Sequence, residues 1–194
     1  MFALFGSCKL EKLEIIKPGM NVVIIPFASD LEWQISGDMT EYENNLLKQL
    51  YDLGVNEDRV YFASLKDKKR FIKYKLDNAD VIFMTGGDPE RLYNILEWMD
   101  IDLNDYKDKH ILGESAGALV MSDYYFVYPT PEEPQYKKLK LCKGFGLIKK
   151  LTTIVHYHKG HDKYIPRIRK IFNGKLLILK DGEFSIIDND NKKS

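Results

Sequence analysis

The segment Ile111–Asp123 reads ILGESAGALVMSD. It is an apolar approach, a turn of small residues around one serine, and a second apolar run. Gly113-Glu114-Ser115-Ala116-Gly117 fits the pattern G-x-S-x-G, in which a strand runs directly into a helix and the serine sits at the tight turn. Small neighbours let the backbone reverse and let a substrate approach. The amides that follow, Ala116 first, point out of a helix N-terminus and can hold an oxyanion. The competing reading needs no chemistry: glycine and alanine also mark places where a strand and a helix pass closely. Both readings put a strand-to-helix junction at Ser115.

Working outward, short apolar runs recur on both sides. They are FALFG, NVVIIPFA, RVYFASL, ADVIFMTGG, HILGES, LTTIVHY, KLLILKDG and EFSIID. Most are rich in β-branched or aromatic residues and end in Gly, Asp or Ser, as buried strands do. Helical patterns lie between several of them. DMTEYENNLLKQLYDLGV places Tyr42, Leu46, Leu50 and Leu53 on one stripe, with Asp38 able to cap its start and Gly54 its end. DPERLYNILEWMD does the same with Leu92, Ile95, Leu96 and Met99, and YIPRIRKIF is a third amphipathic piece. Alternating strands and helices with near-continuous apolar strands predict a mostly parallel sheet covered on both faces. Sites in such folds gather at the carboxyl ends of the strands. Residues 124–141 are Pro-rich and charged, and read as an excursion from the sheet, a hairpin or a lid. The tail NDNKKS is expected to fray.

The chain of 194 residues is expected to form a single domain over 1–194. Lys plus Arg and Asp plus Glu both number 29, a balance that gives no sign of a nucleic-acid or membrane-surface partner. The two cysteines, Cys8 and Cys142, show no metal-ligand spacing. No run of apolar residues is long enough to span a bilayer, and the N-terminus lacks the basic start of a signal peptide. A cytoplasmic protein is expected.

A serine nucleophile needs a base and a group to orient that base. Of four histidines, His110 precedes the strand that leads to Ser115, so it belongs at the far end, at the surface. His156, His158 and His161 cluster in IVHYHKGHD. His156 falls at the end of an apolar strand, where it could face Ser115; His158 lies beyond the strand end. His156, His158, His161 and Asp162 could also ligate zinc, but no second ligand cluster accompanies them, so no metal is expected. A solvated loop is the plainer reading of His158 and His161. Asp181 sits at a strand end in a D-G turn, with Glu183 close behind; it reads equally as the orienting acid or as a hairpin turn. Gly86-Gly87, before a helix, reads as a second oxyanion donor, with Gly87 the better choice, or as a plain turn. The order Ser115, His156, Asp181 differs from the α/β-hydrolase order of serine, acid, histidine.

These parts together resemble the peptidase E (aspartyl dipeptidase) and cyanophycinase family of serine peptidases. VVIIPFAS, VIFMTGGDPERLYNIL, LGESAGALV, GFGLI with IVHY, and LILKDGEF are similar to its segments, in order, along nearly the whole chain. The resemblance implies a three-layer α/β/α fold, flavodoxin-like or class I glutamine-amidotransferase-like. It implies Ser115 as nucleophile, His156 as base, Asp181 as the acid (often Glu in the family) and Gly87 with Ala116 as oxyanion donors. It implies short peptides as substrates and no cofactor; a monomer and a homodimer are both compatible with it. Asp181 is one methylene shorter than Glu, so its bond to the histidine requires a backbone shift, with Glu183 as fallback. Asp88 replaces the usual Asn, and Glu114 stands where aspartyl dipeptidase has a bulky apolar residue. Glu114, Asp88 and His158 are therefore candidate substrate contacts. No residue matches the family's substrate-carboxylate arginine; Lys137, Lys138 and Lys140 could meet an acidic substrate or simply be solvated. An amidase or esterase, and a non-catalytic peptide- or metabolite-binding protein on the same fold, are the alternatives.

Overall fold

Alternation within the apolar runs decides which layer each side chain meets. The computed structural model of the chain describes residues 1–7, 9–29, 40–129 and 136–188. Its strands are β1 (Phe2–Phe5), β2 (Val22–Ile25), β3 (Val60–Phe62), β4 (Val81–Met84) and β5 (His110–Glu114), then β6 (Tyr124–Val127), β7 (Lys140–Lys143), β8 (Leu151–Ile154), β9 (Lys175–Ile178) and β10 (Phe184–Ile187). Six form one sheet in the order β10-β1-β5-β4-β2-β3. Every pair in it is parallel except β10 against β1. Leu4, Val23, Ile25, Ile82, Met84 and Ile111 point into one core, and Phe5, Val22, Ile24, Val81, Phe83 and Leu112 into the other. This is the period-2 split of strands buried on both faces.

Helices close both cores. On one face, α1 (Glu41–Asp52) contributes Leu46 and Leu50. On the other, α2 (Lys69–Asp77), α3 (Pro89–Trp98) and α4 (Ala116–Val120) contribute Ile72, Leu76, Leu92, Leu96 and Val120. Each fully buried Leu or Ile adds about 1.5–3 kcal/mol over leaving it exposed. The result is a three-layer α/β/α arrangement. Thr40 caps α1: its amide donates to Glu43 Oε2 at 2.9 Å, and its hydroxyl donates to the same carboxylate. Gly54, at φ +83°, ends the helix as expected. Asp38, Cys8, residues 130–135 of the excursion and the tail from 189 onward lie outside the described residues.

The sequence reading passed over α2. Of its nine residues only Ile72 and Leu76 are buried, so its apolar stripe is two side chains wide, among four Lys and Arg. Two further pairs flank the main sheet. β6 and β7 are antiparallel and bracket the excursion at 124–141. β8 and β9 are parallel, and α5 (Ile165–Ile171) lies between them in sequence. Phe126, Tyr128, Leu139, Ile154 and Ile168 form a third core cluster beneath this part. The D-G turn at Asp181 is not a hairpin, because β9 pairs with β8 while β10 pairs with β1.

Candidate active site

Ser115 follows β5, which is held between β1 and β4. Its amide donates to Phe5 O at 2.8 Å, and its carbonyl accepts from Leu119 N at 3.1 Å. The backbone there takes φ 49° and ψ −106°. A non-glycine residue in such a conformation stores on the order of 1–3 kcal/mol of strain. The glycines around it are needed for contact as well as for the turn. A Cβ on Gly113 would stand 2.5 Å from Gly117 C, and one on Gly117 would stand 2.5 Å from Met84 O. The close-contact reading of the segment holds: β4, β5 and α4 pass at glycine distance, and the strand-to-helix junction falls at Ser115.

His156 comes from the other sheet. It lies just past β8 at φ +51°. Tyr157 N donates to Leu179 O and Leu179 N to Ile154 O, both at 2.9 Å, so the β8–β9 ladder continues on either side of it. Its Nε2 is 2.9 Å from Ser115 Oγ, and its Nδ1 is 2.6 Å from Asp181 Oδ1. An ionised carboxylate only accepts, which puts the proton on Nδ1 and leaves Nε2 to accept from the serine hydroxyl. Asp181 thus reaches the imidazole despite its short side chain. Glu183 turns away and accepts from Lys180 N at 2.9 Å. Asp181 is steadied from β1: Ser7 Oγ donates to its Oδ1 at 3.2 Å, and Gly182 N donates to Ser7 O at 2.6 Å. Gly6 lies underneath, where a Cβ would come within 3.3 Å of His156 N and 3.4 Å of Asp181 Oδ1. Sequence reasoning missed Gly6 and Ser7. The glycine that ends FALFG was the available signal, being the same punctuation that marks the other strand ends.

Two cavities, each of about 460 Å³, meet at Ser115, Gly87 and His156. The first extends toward α1 and is lined by Thr40, Tyr42, Glu43 and Glu114. The second extends toward β6 and is lined by Leu119, Phe126, Tyr128, Val155, His158 and His161. Gly87 has φ +130° and its α-carbon is pressed against Ala28, so that a Cβ would stand 2.3 Å from Ala28 O. Ala116 is the first residue of α4, and a first-turn amide has no acceptor within its helix.

The other predicted residues fare unevenly. Glu114 lines the first cavity and accepts from the Tyr42 hydroxyl. Burial holds its carboxyl above the ordinary range, while Tyr42 and the charge of His156 act the other way. Tyr42, read as a member of the core stripe, is half-exposed and turned to this cavity instead. Asp88 lines neither cavity. Its Oδ1 caps α3 through Glu90 N at 2.8 Å and Arg91 N at 3.2 Å, and also accepts from Tyr136 Oη at 3.1 Å. His158 borders the second cavity, while its Nδ1 accepts from Gly160 N at 3.1 Å. His161 is not solvated but buried, edge-on to Tyr128, and its Nδ1 accepts from His158 N at 3.1 Å. His110 does lie at the opposite end of β5, yet it is half-buried, with its pKa lowered mainly by that burial. Lys140 is paired with Glu90. Among the described residues no three His, Cys, Asp or Glu side chains are gathered to hold a metal ion, and no helix is long and apolar enough to cross a membrane.

The fold has solved counterparts. A peptidase E candidate from Listeria monocytogenes EGD-e superposes with a TM-score of 0.71 at 22% identity, over 98% of this chain and 95% of that one. A peptidase from an acI-B1 Actinobacterium superposes with a TM-score of 0.58, also at 22% identity, over 93% of this chain and 80% of that one. At this identity the likeness speaks for the fold. No curated protein sequence matches the chain. The sequence model of peptidase family S51, however, matches residues 10–193. With nearly the whole chain matched, the protein belongs to peptidase family S51 and is a serine-type peptidase.

Proposed function

We propose that the protein hydrolyses short peptides, as a dipeptidase or exopeptidase, through an acyl-enzyme on Ser115. One observation carries the reading: the unbroken hydrogen-bond chain Ser115–His156–Asp181, at 2.9 and 2.6 Å, on the carboxyl edge of the sheet. His156 Nε2 takes the hydroxyl proton as Ser115 Oγ attacks the peptide carbonyl. The negative charge that develops on the carbonyl oxygen is met by the amides of Gly87 and Ala116. His156 then gives its proton to the departing amine, and the free amine leaves with the C-terminal fragment. In the second half His156 deprotonates a water, which attacks the acyl ester and releases the N-terminal fragment. Asp181 keeps the imidazole in the required tautomer and stabilises its charged form. Two cavities of modest size on either side of the serine suit a short ligand.

The test is labelling with a fluorophosphonate, followed by hydrolysis of a dipeptide panel. Wild type is expected to label at one site, and Ser115→Ala not at all. Ser115→Ala and His156→Ala are expected to lose about 10⁴–10⁶-fold in kcat. Full hydrolytic activity in folded Ser115→Ala would refute the assignment.

A further inference from the structure

Glu114 is the residue that the hydrolytic mechanism leaves unused. It immediately precedes Ser115 and shares the first cavity with it. Its Oε2 accepts from the Tyr42 hydroxyl, and among the described residues its Oε1 has no hydrogen-bond partner. Among the described residues no lysine or arginine lines that cavity. Lys9 borders an adjoining cavity with Glu114, but its ammonium is directed to Glu11 at 4.0 Å. The second carboxylate of the cavity, Glu43, is occupied in capping α1.

A partly buried carboxylate is costly, and here only the Tyr42 hydroxyl and the charge of His156 offset that cost, in part. The protein could have met the Tyr42 hydroxyl with a neutral acceptor. Instead the cavity holds an acid with one oxygen free, beside the nucleophile. On the opposite side of Ser115 the second cavity is walled by Leu119, Phe126, Tyr128 and Val155, and its carboxylate, Asp181, is engaged by His156 Nδ1 and Ser7 Oγ. The two sides of Ser115 therefore differ in that the carboxylate of the second is taken up by His156 and Ser7, while Glu114 in the first keeps Oε1 open to a ligand.

We propose that Glu114, oriented by Tyr42, is a specificity residue that receives a protonated amine of the substrate in the cavity beside Ser115. The inference deepens the peptidase reading and rests on it for the position of the scissile bond. The amine is either the substrate's free N-terminus or the ammonium of a lysine side chain. Both would exchange water for a charge-assisted hydrogen bond to Glu114 Oε1. A substrate with an acidic group at this position is disfavoured, because its carboxylate would join those of Glu114 and Glu43 in one cavity.

Calorimetric titration of Ser115→Ala, which binds without turning over, separates the possibilities. The ligands are Lys-Ala, its α-N-acetyl form, its ε-N-acetyl form, and Asp-Ala. One of the two acetylations is expected to weaken binding about 10- to 100-fold, the worth of a hydrogen bond to a charged group. Loss with the α-acetyl form identifies the N-terminus, and loss with the ε-acetyl form the side chain. In Ser115→Ala/Glu114→Gln, which keeps an acceptor for Tyr42, the same acetylation should cost no more than about twofold. Equal binding of all three lysine ligands, tighter binding of Asp-Ala, discrimination that survives Glu114→Gln, or no binding of Lys-Ala would each overturn the proposal. Fluorophosphonate labelling of wild type stands apart from these titrations. A labelled enzyme without charge discrimination sinks this inference alone. An unlabelled protein whose Ser115→Ala form discriminates sinks the catalytic reading alone.

Discussion

At the residue scale, the two carboxylates of the site differ in their exposure, and the difference predicts their behaviour. The Asp181 side chain is 67% exposed, so water screens its charge from His156. In the proposed triad its main service would be geometric: one oxygen at 2.6 Å from Nδ1, steadied by Ser7. Asp181→Asn should therefore lower kcat about 10²–10³-fold, less than the roughly 10⁴ expected of a buried acid, with KM little changed. Steady-state kinetics decide it, and a loss as large as that of His156→Ala would mean the screening argument is wrong. Glu114 is the opposite case. Burial holds its carboxyl up; Tyr42 and His156 face it and partly offset that, and Glu43 shares its cavity. A carboxyl raised in the folded state binds its proton more tightly folded than unfolded. Its contribution to stability is then fully present below the ordinary carboxylate range and is lost as pH rises through the folded value. Glu114→Gln has no such proton to lose. In urea titrations from about pH 4 to about pH 7, wild type should lose stability relative to Glu114→Gln. A constant difference across that window would show that the carboxyl is not shifted.

At the element scale, the serine turn depends on how closely α4 lies over β4 and β5. Gly117 is the contact point, with Met84 O where a Cβ would go. Backbone cannot yield as a flexible side chain can, so Gly117→Ala must push α4 away from the sheet. The expected cost is about 1–3 kcal/mol by urea denaturation, with a fall in fluorophosphonate reactivity as Ser115 moves from His156. Unchanged stability would mean that α4 has more room than the glycine contacts imply. Such crossings were legible because they need small residues at fixed positions, and GESAG supplies them. All eight apolar runs likewise became strands: burial on both faces leaves a continuous signal in β1, β2, β4, β5 and β8, and β-branched or aromatic residues mark the less buried β3, β9 and β10. α2 was not legible. It buries only Ile72 and Leu76 and leaves Phe71 and Tyr74 exposed, so its pattern lacks a stripe of ordinary width. Tyr42 was misassigned for a related reason. Its place in the periodic stripe marks it for the core, but at the first turn of α1 the stripe has run past the core and reaches the cavity.

At the scale of the whole molecule, the site is assembled from two bodies of structure that sequence alone could not bring together. Ser115 and Gly87 belong to strand ends of the six-stranded sheet, and His156 and Asp181 to the β8–β9 pair. The reading of the chain supplied each residue and its order. It could not supply Ser7, which joins the two bodies across 174 positions by a hydrogen bond to Asp181. The β8–β9 pair rests on the third cluster, in which Ile154 and Ile168 are 1% and 0% exposed. Ile154 also accepts the hydrogen bond from Leu179 N that brings the ladder up to His156. Loosening this cluster should displace His156 and Asp181 together while Ser115 stays in place. Ile154→Ala is expected to cost about 2–5 kcal/mol, and so is Ile72→Ala, which opens a cavity under α2 in the main core. The two should differ in chemistry. Per folded molecule, Ile154→Ala should react with fluorophosphonate markedly more slowly than wild type, because Ser115 loses its hydrogen bond to His156, the proposed base. Ile72→Ala should react at the wild-type rate, because its cavity lies away from both bodies' contact. Equal reactivity of the two variants, at matched folded fractions, would mean that the β8–β9 pair is held by the main sheet rather than by its own core.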